Sequence, residues 1–209
     1  MKILNLYAGI GGNRKLWGDE HEITAVENNA EIAKVYQQLF PNDTIIVGDA
    51  HDYLLKHFKE FDFIWSSPPC QSHSKTNFFL SGQGIYRYPK MELYQEILFL
   101  KHWFKGKWLV ENVIPYYKPL IAPTKILGRH QFWANFDIED KEFNYVQIGT
   151  MNRNASKEAQ RKAIIREAQI PELLDLHGLK DFKIKNKRQV LRNCVLPETG
   201  LHIIKHITL

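Results

Sequence analysis

The chain has 209 residues, enough for one domain with a small appendage. Hydrophobic residues make up 44%, no apolar run reaches the roughly 18 residues that span a bilayer, and two cysteines, Cys70 and Cys194, exclude a disulfide framework. The net charge of +5 is uneven: residues 1–140 carry 15 Lys and Arg against 16 Asp and Glu, residues 141–209 carry 13 against 7. That asymmetry predicts a neutral chemical core and a basic surface for a polyanion, with a merely solvated helical face as the alternative.

In chain order, residues 3–7 read as a strand, followed by the turn Ala8-Gly9-Ile10-Gly11-Gly12. The chain enters this strand directly, without a basic and apolar leader, so the expected setting is a reducing cytoplasm. A short helix is predicted over 13–17, closed by Gly18. Residues 23–26 form a second strand that ends at Glu27. Helical spacing of Ile32, Val35, Tyr36 and Leu39 predicts a helix over 30–40, stopped by Pro41. Residues 44–47 are a third strand, ending at Gly48-Asp49, and 61–65 a fourth. An amphipathic helix over 91–104 carries Leu93, Ile97, Leu100 and Phe104 on one face. Residues 108–110 make a fifth strand, ending at Glu111-Asn112. This alternation predicts an α/β fold, a mostly parallel sheet with helices on both faces. The rhythm stops after Asn135. Residues 140–187 are polar and basic, with a helix predicted over 156–168 and a Lys/Arg-rich stretch over 180–188. The expected division is a core over 1–139, a small basic insert over 140–187, and a C-terminal segment over 188–209 that returns to the core with Leu201, Ile204 and Ile207 at helical spacing.

Several residues at strand ends are candidates for chemistry, because open α/β sheets place their ligands there. Glycines at 9, 11 and 12 let a ligand approach the backbone, although the full G-x-G-x-x-G spacing is missing and a plain tight turn competes. Glu27 can accept hydrogen bonds from both hydroxyls of a ribose, and Asp49 can meet the amino group of an adenine. Each alone would be an ordinary surface carboxylate; three strand ends in succession outline a site for an adenosine-containing ligand. In Ser67-Pro68-Pro69-Cys70-Gln71, two prolines stiffen the exit from the fourth strand and the polar residues that follow oppose burial of Cys70. A thiolate there is a nucleophile. His73 could stabilise it. Glu111 can grip a polar substrate edge, with a helix cap by Asn112 as the bland reading. The nine histidines are scattered without metal-ligand spacing, so no metal is expected.

Leu6-Tyr7-Ala8-Gly9-Ile10-Gly11-Gly12, Val26-Glu27-Asn28, Gly48-Asp49, Ser67-Pro68-Pro69-Cys70-Gln71 and Glu111-Asn112-Val113 resemble, in order, the motifs of the cytosine-5 DNA methyltransferases. Arg192-Asn193-Cys194-Val195-Leu196-Pro197 resembles that family's closing motif. The resemblance implies a Rossmann-like methyltransferase fold with a very small recognition insert, and S-adenosylmethionine as methyl donor. The donor would be held by Tyr7, Ala8, Gly9, Gly11, Gly12, Glu27, Asn28, Asp49, Ala50, Pro68, Asn193 and Val195. It also implies that Cys70 attacks C6 of a cytosine flipped out of duplex DNA, while Glu111 holds N3 and the exocyclic amine, with Arg129 assisting. Substrate contacts are expected from Pro69, Gln71, Ser74, Asn112, Arg153, Arg161, Lys162, Lys185 and Arg188, and residues 72–88 resemble a loop that closes over the flipped base.

Three departures from the pattern stand out. The family's Arg-x-Arg is Arg129-His130-Gln131 here, a bulky residue expected after the ribose-binding glutamate is Asn28, and the recognition segment is under fifty residues long. Sequence readout needs several side chains at base edges. A short target site, a protein partner or a simpler substrate would relieve that shortage. The rivals are the same chemistry on RNA or a free cytidine nucleotide, a catalytically silent nucleic-acid binder, and, on the glycine turn alone, a nicotinamide-dependent oxidoreductase.

Overall fold

Short apolar runs bounded by turn residues become the strands of one sheet. In the computed structural model, which describes residues 1–145, 156–158 and 171–208, these are β1 (Lys2–Leu6), β2 (Glu22–Glu27), β3 (Thr44–Val47), β4 (Phe63–Ser66), β5 (Lys107–Val113), β6 (Lys125–Leu127) and β7 (His130–Ala134). Their order is β3-β2-β1-β4-β5-β7-β6. The pairs from β3 through β5 are parallel, and β7 runs antiparallel to both its neighbours. The helices are α1 (Ala30–Leu39), α2 (Ala50–His57), α3 (Asn77–Ser81), α4 (Glu92–Trp103), α5 (Pro171–His177), α6 (Lys187–Asn193) and α7 (Pro197–Thr208). This is a Rossmann-like α/β arrangement. Strand order reverses between β1 and β4, so a crevice opens beyond their carboxyl ends.

The pleat sends alternate side chains to opposite faces. Leu4, Leu6, Ile64 and Val110 pack with Ile97 and Leu100 of α4 and Leu54 of α2. Ile3, Phe63, Trp65 and Leu109 pack on the other face with Ile203 and Ile204 of α7. Burying a side chain of this size contributes about 1.5–3 kcal/mol. β5 and β7 are buried along nearly their whole lengths, as expected for strands covered on both faces.

Several expectations change. Residues 13–17 form successive turns rather than a helix, with Arg14 N bonded to Gly11 O and Trp17 N to Arg14 O. The reason is Arg14, whose guanidinium is drawn inward to Asp43 at 2.9 and 3.0 Å, where Tyr36 Oη also donates at 2.7 Å. β5 runs on through Glu111 and Asn112 to Val113, so both residues lie within the strand. Among the described residues, the elements that were not foreseen are α2, α3, β6, β7, α5 and α6. The described part of the basic insert has an apolar side as well: Leu173, Leu174 and Leu179 pack against Ile10 and against Ile32 and Val35 of α1. Most of the helix expected over 156–168 lies outside the described residues.

Candidate active site

The turn after β1 is held in an unusual backbone shape. Tyr7 has φ of +55°, as does Gly9, and Gly11 has +76°. A non-glycine residue in the left-handed region is strained and persists only where its surroundings fix it. The fixing group is Glu96 of α4, a fully buried carboxylate. Tyr7 Oη donates to Glu96 Oε1 at 2.5 Å, Ser66 Oγ at the end of β4 donates to its other oxygen, and His51 Nδ1 of α2 lies 3.5 Å away. Burial and the Glu96 charge push the Tyr7 hydroxyl pKa well up, and Glu96 raises that of His51. One carboxylate therefore ties together the ends of β1 and β4. Sequence reasoning missed it, because in an amphipathic helix that also carries Glu92, Gln95 and Lys101 an acidic residue reads as part of the solvent face. The available signal was an acidic residue on the same face as Leu93, Ile97 and Leu100.

Beyond this turn lies a cavity of about 360 Å³, in the range of small-molecule sites. Tyr7, Ala8, Gly9, Gly12, Glu27, Asn28, Pro68, Asn193 and Val195 line it. A Cβ on Gly9 would meet nothing within 4 Å, so its backbone is open to a ligand, while a Cβ on Gly12 would come within 2.8 Å of Val195 O. Glu27 accepts from Gly9 N at 3.0 Å and from Asn29 N at 2.8 Å, one bond on each carboxylate oxygen, and both oxygens keep lone pairs for a ligand. Three expected donor contacts are elsewhere. Gly11 faces away, since a Cβ there would strike the Phe40 and Tyr36 rings. Asp49 and Ala50 do not line the cavity, because Asp49 is the N-cap of α2 and accepts from Asp52 N at 2.9 Å.

Cys70 follows the two prolines at the floor of this cavity and also lines a larger cleft of about 1700 Å³. Burial, and then the negative charge of Glu111, push the thiol pKa up to about 11, while Arg129 acts in the opposite sense. His73 does not serve the thiol: its ring is buried and its Nδ1 bonds Tyr117 Oη at 2.6 Å.

Glu111 is buried on β5 and bonds His130 Nδ1. Register explains the meeting. Glu111 pairs with Phe132 across the ladder, so His130 two residues away shares its face diagonally. His130 Nε2 accepts from Arg129 Nε at 3.0 Å, which leaves the ring proton on Nδ1, pointed at Glu111. Arg129 Nη2 donates to Arg192 O at 2.9 Å and Cys194 O at 3.1 Å. Arg129 thus braces α6 and orients His130 while it lines the larger cleft. The sequence pattern Arg129-His130-Gln131 was visible, but His130 was overlooked as the partner of Glu111.

Of the expected substrate contacts, Gln71, Ser74, Lys185 and Arg188 line the larger cleft, and Pro69 lines the smaller cavity. Asn112 does not face a substrate. It is buried, donates to Pro68 O at 2.9 Å and accepts from Val113 N, so it fixes the Pro-Pro-Cys turn. Arg153, Arg161 and Lys162 lie outside the described residues. Arg87, Lys183 and Arg192 join the cleft and were not anticipated.

Residues 1–94 match the model of the C-5 cytosine-specific DNA methylase family. They carry the glycine turn, Glu27 and Cys70. A search of curated proteins gives no match. Among solved structures, the chain is similar to a mutant of Spodoptera frugiperda DNMT2, with 30% identity over 54% of this chain and 35% of that one, at a TM-score of 0.40. It is also similar to the Entamoeba histolytica methyltransferase EhMeth, with 13% identity over 54% and 38% of the two chains, at 0.37. A third is TrmN from Thermus thermophilus, with 15% identity over 54% and 33%, at 0.36. The chain spans about a third of the length of each.

Proposed function

We propose that this chain transfers a methyl group from S-adenosylmethionine to C5 of a cytosine in DNA, with Cys70 as the nucleophile. The observation that carries the reading is the position of Cys70, which opens on both cavities and lies beside Glu111. The family match over residues 1–94 supports a methyltransferase.

The smaller cavity fits the donor. The open backbone at Gly9 and the wall of Gly12, Asn193 and Val195 accommodate the amino-acid tail, and the remaining lone pairs of Glu27 suit a ribose. When bound, S-adenosylmethionine supplies a methyl carbon activated by its positive sulfur. Tyr7 and Ser66, held by Glu96, keep the donor turn and the nucleophile turn in fixed relation.

Cytosine C5 is a poor nucleophile until a group adds at C6. Cys70 as thiolate forms the C6–S bond, and the electron pair of the C5–C6 double bond moves to C5. From a bound donor, C5 would take the methyl group, the sulfur–methyl bond breaking and its electron pair staying on the sulfur, which loses its positive charge. Loss of the C5 proton to solvent restores the double bond and releases the Cys70 thiolate. Burial and the Glu111 charge push the thiol up to about 11, so the thiol form dominates at neutral pH in the free protein. A base seated on Glu111 counters part of the repulsion that suppresses the thiolate. Glu111, oriented by His130, accepts from the exocyclic amine, and a proton taken up from solvent and shared between Glu111 and N3 draws electron density through the ring. The basic cleft grips the phosphates, and a cytosine in a duplex must swing out to reach the sulfur.

The test is a duplex carrying 5-fluorocytosine, incubated with the donor. Fluorine cannot leave as a proton does, so a covalent adduct accumulates, and peptide mapping places it on Cys70. Methylation of DNA without such an adduct, or an adduct on another residue, overturns the mechanism.

A further inference from the structure

The segment after Cys70 exposes large apolar side chains where a soluble domain would bury or replace them. Phe78, Phe79, Ile85, Tyr86, Tyr88 and Met91 are all exposed, with Phe79 at 63%, Tyr86 at 79% and Tyr88 at 91%. They are not slack. Ile85 N bonds Leu80 O at 2.9 Å, Tyr116 Oη donates to Arg87 O at 2.7 Å, and Lys90 N donates to Ser72 Oγ at 3.1 Å. Phe78 rests one edge on Tyr116, with ring centroids 5.8 Å apart. A hydrogen-bonded frame thus presents these rings outward. A cluster of exposed apolar groups of this kind marks an interaction surface.

The charges around it define the partner. Lys75, Arg87 and Lys90 interleave with the rings, and Lys183 and Lys185 stand exposed along the same cleft that Phe79 and Arg87 line. A partner must therefore be anionic along its length and offer flat apolar faces. Unpaired DNA does both: phosphates meet the cations and base faces meet the rings. Paired bases do not, because their faces are hidden in the stack and only hydrogen-bonding edges are offered in the grooves.

We propose that residues 78–91 are a stacking platform for unpaired bases beside the target cytosine, and that the preferred substrate is single-stranded or locally opened DNA. The inference rests on the nucleic-acid reading of the site given above and narrows it. It also accounts for a recognition segment too short to read many base edges, since stacking tolerates any sequence. A target already unpaired needs no extraction from a helix.

The test uses the full chain and fluorescence anisotropy with a labelled 20-residue DNA strand, the matching duplex, and an RNA strand of the same sequence. The single strand is expected to bind at least about tenfold tighter than the duplex. In the variant F79A/Y86A/Y88A that margin is expected to vanish. Because these side chains are exposed, thermal unfolding should be unaltered, and the single changes F79A and Y88A are measured alongside to expose any folding defect. Lys183→Gln should instead weaken both DNA forms and flatten the salt dependence. Equal or tighter binding of the duplex, unchanged binding by the triple variant, or preference for the RNA strand each overturns the proposal. If the duplex alone binds in a salt-dependent way and is methylated, the proposed function stands and only the platform fails. If no nucleic acid binds, the substrate reading fails with it.

Discussion

The two walls that meet at Cys70 are made of different materials. The wall proposed for the donor is backbone and the hydrogen bonds that hold it: the Tyr7 to Gly12 turn, Glu27 accepting from Gly9 N, and the buried Glu96 beneath. The wall proposed for the substrate is side chains on exposed segments, where Lys180, Lys183, Lys185 and Lys187 line the same cleft as Phe79 and Arg87. The first wall has little room to change, because each group is committed to a partner. The second can change residue by residue without disturbing the sheet. On the proposed function, the contrast is between a fixed cofactor pocket and an adjustable substrate surface.

Substitutions can break or sharpen that contrast. The largest effect is expected at the seam. Cys70→Ser should lower methyl transfer by about 10⁴-fold or more while donor affinity, read by calorimetry, stays within a factor of two. Equal loss of donor affinity would show the sulfur to be structural. On the donor wall, Glu27→Ala should weaken donor binding by about ten- to a hundredfold, since it removes charged hydrogen bonds to both the turn and the ligand. An unchanged dissociation constant would refute that role. On the substrate wall, Lys185→Gln should weaken DNA binding only severalfold and lower the slope of log affinity against log salt by about one.

The smallest effect is the most diagnostic of the site's electrostatics. Alkylation of Cys70 in the free protein should speed up about tenfold per pH unit until the pH approaches 11, because only the thiolate reacts and burial holds its pKa up. Glu111→Gln removes a charge that also raises that pKa, so alkylation at pH 8 should become faster while methyl transfer falls. A slower alkylation would mean that Glu111 does not act on the sulfur.

The donor wall was the more legible in sequence, and for a physical reason. Parallel strands buried on both faces leave apolar runs, so Glu27 at the end of β2, and Gly9 and Cys70 just beyond β1 and β4, can be counted off directly, while Glu111 lies inside β5. Asp49 has a second role that the sequence did not announce, as the cap of α2, because α2 offers only two buried residues to betray its presence. β7 was hidden because a strand buried on both sides has no alternation, and His130 and Gln131 made it look polar. Glu96 and His130 act through contacts between elements distant in sequence, and no local spacing announces such a contact. The apolar side of the 171–179 stretch was obscured by the lysines around it.

Glu96 has a mechanical consequence. Its two oxygens rivet the tips of two neighbouring strands, one bearing the glycine turn and the other the prolines that aim the sulfur. Loosening at that rivet would travel to both jaws at the same moment, so alignment of the two reaction partners depends on a residue that touches neither.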